Sequence, residues 1–166
     1  EYDDAVNDFT KVIDIDSADS FAYYYRGRSK FYLSDDKGAI EDFNRTIEID
    51  STDIVSYHLR GLAKLNLQDY DGAMADFNKS VEVWPGLGNL NYEKGLVKSG
   101  QQDYLGAIEE YNKAIKADPK DVKSYYERAE AKFLLTTDYQ GALDDYNKVF
   151  EIDSTYQGVY FGRGYS

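Results

Sequence analysis

The sequence predicts an all-α solenoid of antiparallel helix-turn-helix hairpins. Three observations carry that expectation: a period of about 34 residues, apolar spacing of three and four inside each period, and a glycine kept in one phase. Ala5, Ala39, Ala73, Ala107 and Ala142 mark the period, with steps of 34, 34, 34 and 35 residues. Around them recur the words Asp36-Lys37-Gly38-Ala39-Ile40-Glu41-Asp42-Phe43-Asn44, Tyr70-Asp71-Gly72-Ala73-Met74-Ala75-Asp76-Phe77-Asn78 and Tyr139-Gln140-Gly141-Ala142-Leu143-Asp144-Asp145-Tyr146-Asn147. A second word precedes each, as in Tyr23-Tyr24-Tyr25-Arg26-Gly27, Tyr57-His58-Leu59-Arg60-Gly61, Asn91-Tyr92-Glu93-Lys94-Gly95 and Tyr125-Tyr126-Glu127-Arg128-Ala129. Each repeat therefore holds two segments, A and B.

Both segments read as helices. In segment B, Ala39, Ile40, Phe43 and Ile47 fall on one stripe of a 3.6-residue helix, its buried face. In segment A, Tyr23, Gly27 and Phe31 step by four, and Ser20 is the expected N-cap. Helices of roughly 13 residues are marginal alone in water, so stacking must stabilise them. Gly27, Gly61, Gly95 and Gly164 share one phase, which Ala129 alone breaks. Glycine inside a helix costs about 0.5–1 kcal/mol against alanine, so a steric demand is expected there, met if the glycine faces the alanine of helix B.

The 34-residue period, the aromatic-x-x-basic-Gly word, the small-then-aromatic B helix and the Asp118-Pro119 pair resemble the tetratricopeptide repeat. The likeness covers essentially the whole chain and implies a right-handed superhelical solenoid. Its phase predicts a single array over 1–166: helix B of a truncated repeat at 1–19, repeats at 20–53, 54–87, 88–121 and 122–156, and the start of a helix A at 157–166. The array is expected to be a piece of a longer one. Departures are local: Asp36 replaces an aromatic, Asn91 sits in the slot of Tyr23, and one residue is gained near Thr136-Thr137.

Composition narrows the functional classes. Acidic residues outnumber basic ones, 31 to 19, giving a net charge of -12 that would repel phosphate backbones and argues against nucleic acid as a partner. No apolar run approaches the roughly 20 residues of a membrane span. Cysteine is absent, so disulfides and thiolate metal sites are excluded while the compartment stays open. No catalytic constellation, cofactor motif or metal site is expected. His58 has no grouped partners, Asp14-Ile15-Asp16-Ser17-Ala18-Asp19 lacks the glycine and glutamate of a calcium loop and reads as a turn, and Asp144 and Asp145 point about 100° apart on a helix.

One charge pattern suggests pairing. Arg26, Arg60, Lys94, Arg128 and Arg163 share one repeat position, and Asp8, Asp42, Asp76, Glu110 and Asp145 share another. An ion-pair ladder between A and B helices is the expectation, with plain surface charge as the alternative.

What the resemblance implies for function is a concave groove lined by A helices, in which a peptide or partner segment lies. Carried over position by position, the groove comprises Phe21, Tyr24, Arg28, Phe31 and Tyr32, then Val55, His58, Leu62, Leu65 and Asn66. Asn89, Tyr92, Leu96 and Ser99 follow, then Lys123, Tyr126, Glu130, Phe133 and Leu134. The bland alternative is that Phe31, Leu65, Ser99 and Phe133, with some of Arg28, Leu62, Leu96 and Glu130, pack between helices. The Lys-and-Asn clamp with which one subclass grips chaperone C-termini is missing, since the matching positions hold Tyr24 and Arg28, His58 and Leu62, Tyr92 and Leu96, and Tyr126 and Glu130. A non-catalytic scaffold for a protein or peptide ligand is the leading expectation. The alternative is an array that associates head to tail with its own copies through terminal helices.

Overall fold

The computed structural model describes residues 1–84, 90–135 and 138–165. Ten α-helices occur among them, with no strand. The chain divides into two compact units, Glu1–Gly88 and Asn89–Ser166.

In the first unit, α1 (Tyr2–Ile15), α2 (Ser20–Tyr32), α3 (Asp36–Ile49), α4 (Ile54–Asn66) and α5 (Tyr70–Val83) each pack on the next in chain order. Helices α2 and α4 are A helices, and α1, α3 and α5 are B helices. Helices α3 and α5 each bury one stripe. Ala39 and Phe43 on α3 and Ala73 and Phe77 on α5 are fully enclosed, whereas no residue of α1 is buried.

The second unit repeats this order with α6 (Asn91–Gly100), α7 (Tyr104–Ala117), α8 (Val122–Leu134), α9 (Tyr139–Ile152) and α10 (Gly158–Tyr165). Ala107, Tyr111 and Ala131 form one buried cluster, and Ala129, Ala142, Tyr146 and Val149 another.

Aspartate punctuates nearly every corner. Helix α2 is capped by Asp19, whose carboxylate accepts the Ala22 amide, so the cap lies one residue before the expected Ser20, itself the first helical residue. Asp53 and Asp121 cap α4 and α8 likewise, and Asp35, Asp69, Asp103 and Asp138 cap the B helices α3, α5, α7 and α9. At the B-to-A corners Asp16, Asp50, Asp118 and Asp153 each accept the amide two residues on, which makes the predicted turns. Trp84 stands where Asp16, Asp50 and Asp118 stand, and α6 starts after Leu90 with no side-chain cap and runs for 10 residues instead of 13.

Three A-to-B corners are closed by a left-handed residue. Ser34, Gln68 and Gln102 have φ of 62°, 62° and 63°. Each is followed by an aspartate whose amide reaches back into helix A, as Asp69 N does to the Lys64 carbonyl at 2.9 Å. One aspartate thus ends one helix and caps the next.

The phased glycine meets a ring rather than the expected alanine. A Cβ on Gly27 would lie 3.0 Å from Asp42 Cβ and 3.1 Å from Phe43 Cε1, and one on Gly61 would lie 2.7 Å from Phe77 Cε1. The aromatic side chain of helix B needs more room than the alanine, so its edge fills the gap. Gly164 departs from this pattern, since a Cβ there would meet nothing within 4 Å.

Candidate protein-interaction surfaces

A concavity in the first unit lies beside the N-terminal halves of α2 and α4. Ser20, Phe21, Tyr24 and Tyr25 from α2, Thr46 from α3, Asp50 and Asp53 from the corner and Val55 from α4 enclose about 350 Å³. Phe21, Tyr24 and Val55 come from the expected groove. Phe21 is 73% exposed, a large ring left in water, and Val55 is 40% exposed. Asp53 spends both carboxylate oxygens on its cap, accepting the Val55 and Ser56 amides and the Ser56 hydroxyl. Asp50 Oδ1 accepts the Thr52 amide and hydroxyl, at 2.9 and 2.6 Å, and these bonds hold its carboxyl below the usual carboxylate range.

The other groove candidates of this unit are spread along the A helices. Arg28 is exposed and lies 5.9 Å from the ring centroids of both Tyr25 and Tyr32. Tyr32 stacks on Tyr2 at 5.1 Å and meets Phe31 edge-on at 5.9 Å. His58, Leu62 and Leu65 are half-buried, the His58 ring 5.9 Å from Phe77. Asn66 is exposed and donates to Asp36 at 3.1 Å.

In the second unit Tyr126 is the hub. Its ring lies 5.1 Å from Tyr156 and 5.9 Å from Tyr146, whose hydroxyl donates to Glu130 at 2.5 Å. Tyr92 lies 6.2 Å from Tyr111. Burial first, then the charges of Glu130 and Glu127 and a hydrogen bond with Glu130, push the Tyr126 hydroxyl up to about 12. Burial also raises the hydroxyls of Tyr92, Tyr111 and Tyr146. Glu127, which sequence reasoning left out of the groove, is half-buried, and burial followed by the charge of Glu130 raises its carboxyl. Leu96 is half-buried, Lys123 exposed, and Phe133 packs on the core edge 5.7 Å from Tyr139. Asn89 lies outside the described residues, as do Thr136 and Thr137.

The charge ladder forms, with one rung altered. Arg26 clasps Asp42 through Nε and Nη2 at 2.9 and 2.6 Å, Arg60 clasps Asp76 with the same distances, and Arg128 clasps Asp145. The third nitrogen of each arginine reaches back to the preceding B helix, to Thr10, Asn44 and Asn112 respectively. Each arginine therefore ties three helices. A lysine four residues on, Lys30, Lys64 or Lys132, adds a second cation to the same aspartate. The sequence carried that signal too, since Lys30, Lys64, Lys98 and Lys132 share one phase. In the altered rung Glu110 is met by Lys98 at 3.8 Å and Lys113 at 2.8 Å in place of the expected Lys94. Asp8 pairs with Lys11, and the Arg163 side chain lies outside what is described.

Among the described residues no group of three or more His, Cys, Asp or Glu is arranged to hold a metal ion, and no helix is long and apolar enough to cross a membrane.

Family models now meet this geometry. One described as "Tetratricopeptide repeat" matches residues 54–85, the α4–α5 hairpin, and one described as "TPR repeat" matches residues 100–135, from the end of α6 through α8. The chain carries tetratricopeptide repeats over these two stretches. Its all-α tetratricopeptide fold is shared with solved structures at low identity. MamA 41-end from Desulfovibrio magneticus RS-1 is 19% identical, with 93% of this chain and 87% of that one covered and a TM-score of 0.84. PilW, described as a widely conserved type IV pilus biogenesis factor, is 19% identical over 98% of this chain and 79% of its own, with a TM-score of 0.83. YrrB, described as a TPR protein with an unusual peptide-binding site, is 19% identical over 95% of this chain and 80% of its own, with a TM-score of 0.72. No curated protein matches the chain by sequence.

Proposed function

We propose that the chain is a protein-protein interaction scaffold without catalytic activity, which binds a peptide or partner segment on the surface lined by its A helices. The observation that carries this reading is the 350 Å³ pocket rimmed by the 73%-exposed Phe21, Tyr24 and Val55. An aromatic ring held in water beside a concavity becomes favourable once a partner covers it, and such rings anchor interfaces. The fold shared with YrrB, whose description names a peptide-binding site, supports the same reading. Peptide-display selection against the native chain tests it, with Phe21→Ser/Tyr24→Ser and Tyr92→Ala/Tyr126→Ala variants used in parallel. Peptides retained by the native chain and lost on either variant support the scaffold. Recovery of nothing, or of sequences indifferent to both variants, removes it.

A second reading, association of copies through terminal helices, draws on α1, which exposes Tyr2, Val12 and the 88%-exposed Ile15, and on the exposed Tyr160 of α10. Light-scattering mass that stays at one monomer across a hundredfold range of concentration would exclude it.

A further inference from the structure

The chemistry of the first-unit pocket says more than that something binds there. The pocket is lined by Phe21, Tyr24, Tyr25 and Val55 together with two carboxylates, Asp50 and Asp53, and no lysine or arginine lines it. The two carboxylates differ. Asp53 is used up by its helix cap, whereas Asp50 is held through Oδ1 alone, and Oδ2 has no hydrogen-bond partner among the described residues. Asp50 is also exposed, so an arriving group can reach it. Resting on the scaffold reading, we propose that this pocket receives an arginine side chain presented by a partner peptide, its stem against Phe21 and Val55 and its guanidinium at Asp50.

Three features select that occupant. The chain carries a net charge of -12, which favours approach of a cationic segment. The volume of about 350 Å³ is at the small end of ligand pockets, which run from about 300 to 1,000 Å³, and suits one or two side chains. Planar guanidinium groups combine carboxylate pairing with stacking on aromatic faces, which an aliphatic anchor cannot do and an ammonium does less well. The chain's own tyrosines already accept arginines in this way, with Arg26 5.5 Å from the centre of Tyr23, Arg60 5.3 Å from Tyr57 and Arg28 5.9 Å from Tyr25.

The test uses two synthetic acetylated nonapeptide pools that share degenerate uncharged flanks and differ at the central residue, arginine in one and norleucine in the other. Each is titrated into the isotope-labelled full chain, and amide shifts are followed by NMR. Asp50→Asn keeps an acceptor for the Thr52 amide and removes the charge, while Phe21→Ser removes a wall. The arginine pool is expected to shift amides of residues 20–25 and 46–55 and to bind more tightly than the norleucine pool. Asp50→Asn should weaken it about threefold, as loss of one exposed ion pair does, and leave the norleucine pool unchanged. Equal or tighter binding of the norleucine pool, or indifference to Asp50→Asn, overturns the arginine assignment while the scaffold stands. Absence of pocket shifts with both pools also overturns it, whatever the display selection returns. Circular-dichroism melts confirm that both variants fold.

Discussion

Arg60 grips Asp76 with two nitrogens at 2.9 and 2.6 Å while its third nitrogen holds Asn44 at 2.7 Å, so a single side chain fastens α4 to both α3 and α5. The Asp76 side chain is 4% exposed and Arg60 15%, so this is an enclosed pair, where removal of one partner strands the other. Arg60→Met is expected to destabilise by about 2 kcal/mol, less than the 3–5 of an isolated buried pair because Lys64 stays on Asp76 at 2.9 Å. Arg60→Met with Asp76→Leu and Lys64→Met, which leaves neither cation stranded, should recover most of the loss. Urea unfolding of the two variants decides it, and a triple variant no better than the single one would contradict the stranded-charge account.

Glycines of the A helices should differ in their tolerance of alanine. A Cβ at Gly27 needs a shift of only a few tenths of an ångström, whereas at Gly95 it would run into the fully buried Tyr111 ring. Gly27→Ala is expected to be near neutral, since relief of about 0.5–1 kcal/mol of helix cost offsets mild crowding. Gly95→Ala should destabilise by about 1–2 kcal/mol. Thermal melts of both variants read the difference, and equal effects would refute it.

Left-handed residues at the A-to-B corners store a small strain. Gln68→Gly together with Gln102→Gly is expected to stabilise by about 1 kcal/mol in sum, because the αL cost of a side chain exceeds the entropy glycine adds. Gln68→Val should destabilise. Denaturant midpoints provide the check.

Glu127 gives the second unit a pH signature. Burial and the charge of Glu130 raise its folded-state carboxyl above the ordinary value of 4.5, so the folded chain holds this proton more tightly than the unfolded chain. The contribution is favourable while Glu127 is protonated and fades as pH climbs from that ordinary value through the raised one. Glu127→Gln should remove this decline and leave the variant more stable than the native chain at pH 7. Melting temperatures between pH 4 and 8 test the sign, and a variant that parallels the native curve would refute it.

Much of the hairpin architecture is readable from spacing, because a 34-residue period repeats its core residues and its corners together. Ala39, Phe43 and Gly27 announce one hairpin, and Arg26 with Asp42 announces its ion pair. What spacing hides is whatever one residue does twice. Asp50 reads as a turn residue, and only the fold shows that it also lines a pocket with Phe21 and Val55. Glu127, adjacent to Tyr126, gives no sequence sign of being enclosed with Tyr92 and Tyr156, which stand 35 and 29 positions away. Ser20 lost the cap to Asp19 because a carboxylate one residue earlier serves the same amide row, a choice that composition does not decide.

The aspartate-capped corners carry a consequence for anyone who would redesign this chain's surface. Carboxylates such as Asp35, Asp69 and Asp103 hold backbone amides, and Asp42, Asp76 and Asp145 hold cations, so the acidity is anchored in the chain's joints. Charge reversal by lysine at those sites would unfasten helices, whereas Glu41 or Glu109, exposed on B helices, could be recoloured freely. A neutral version of this protein is therefore reachable, through its exposed glutamates.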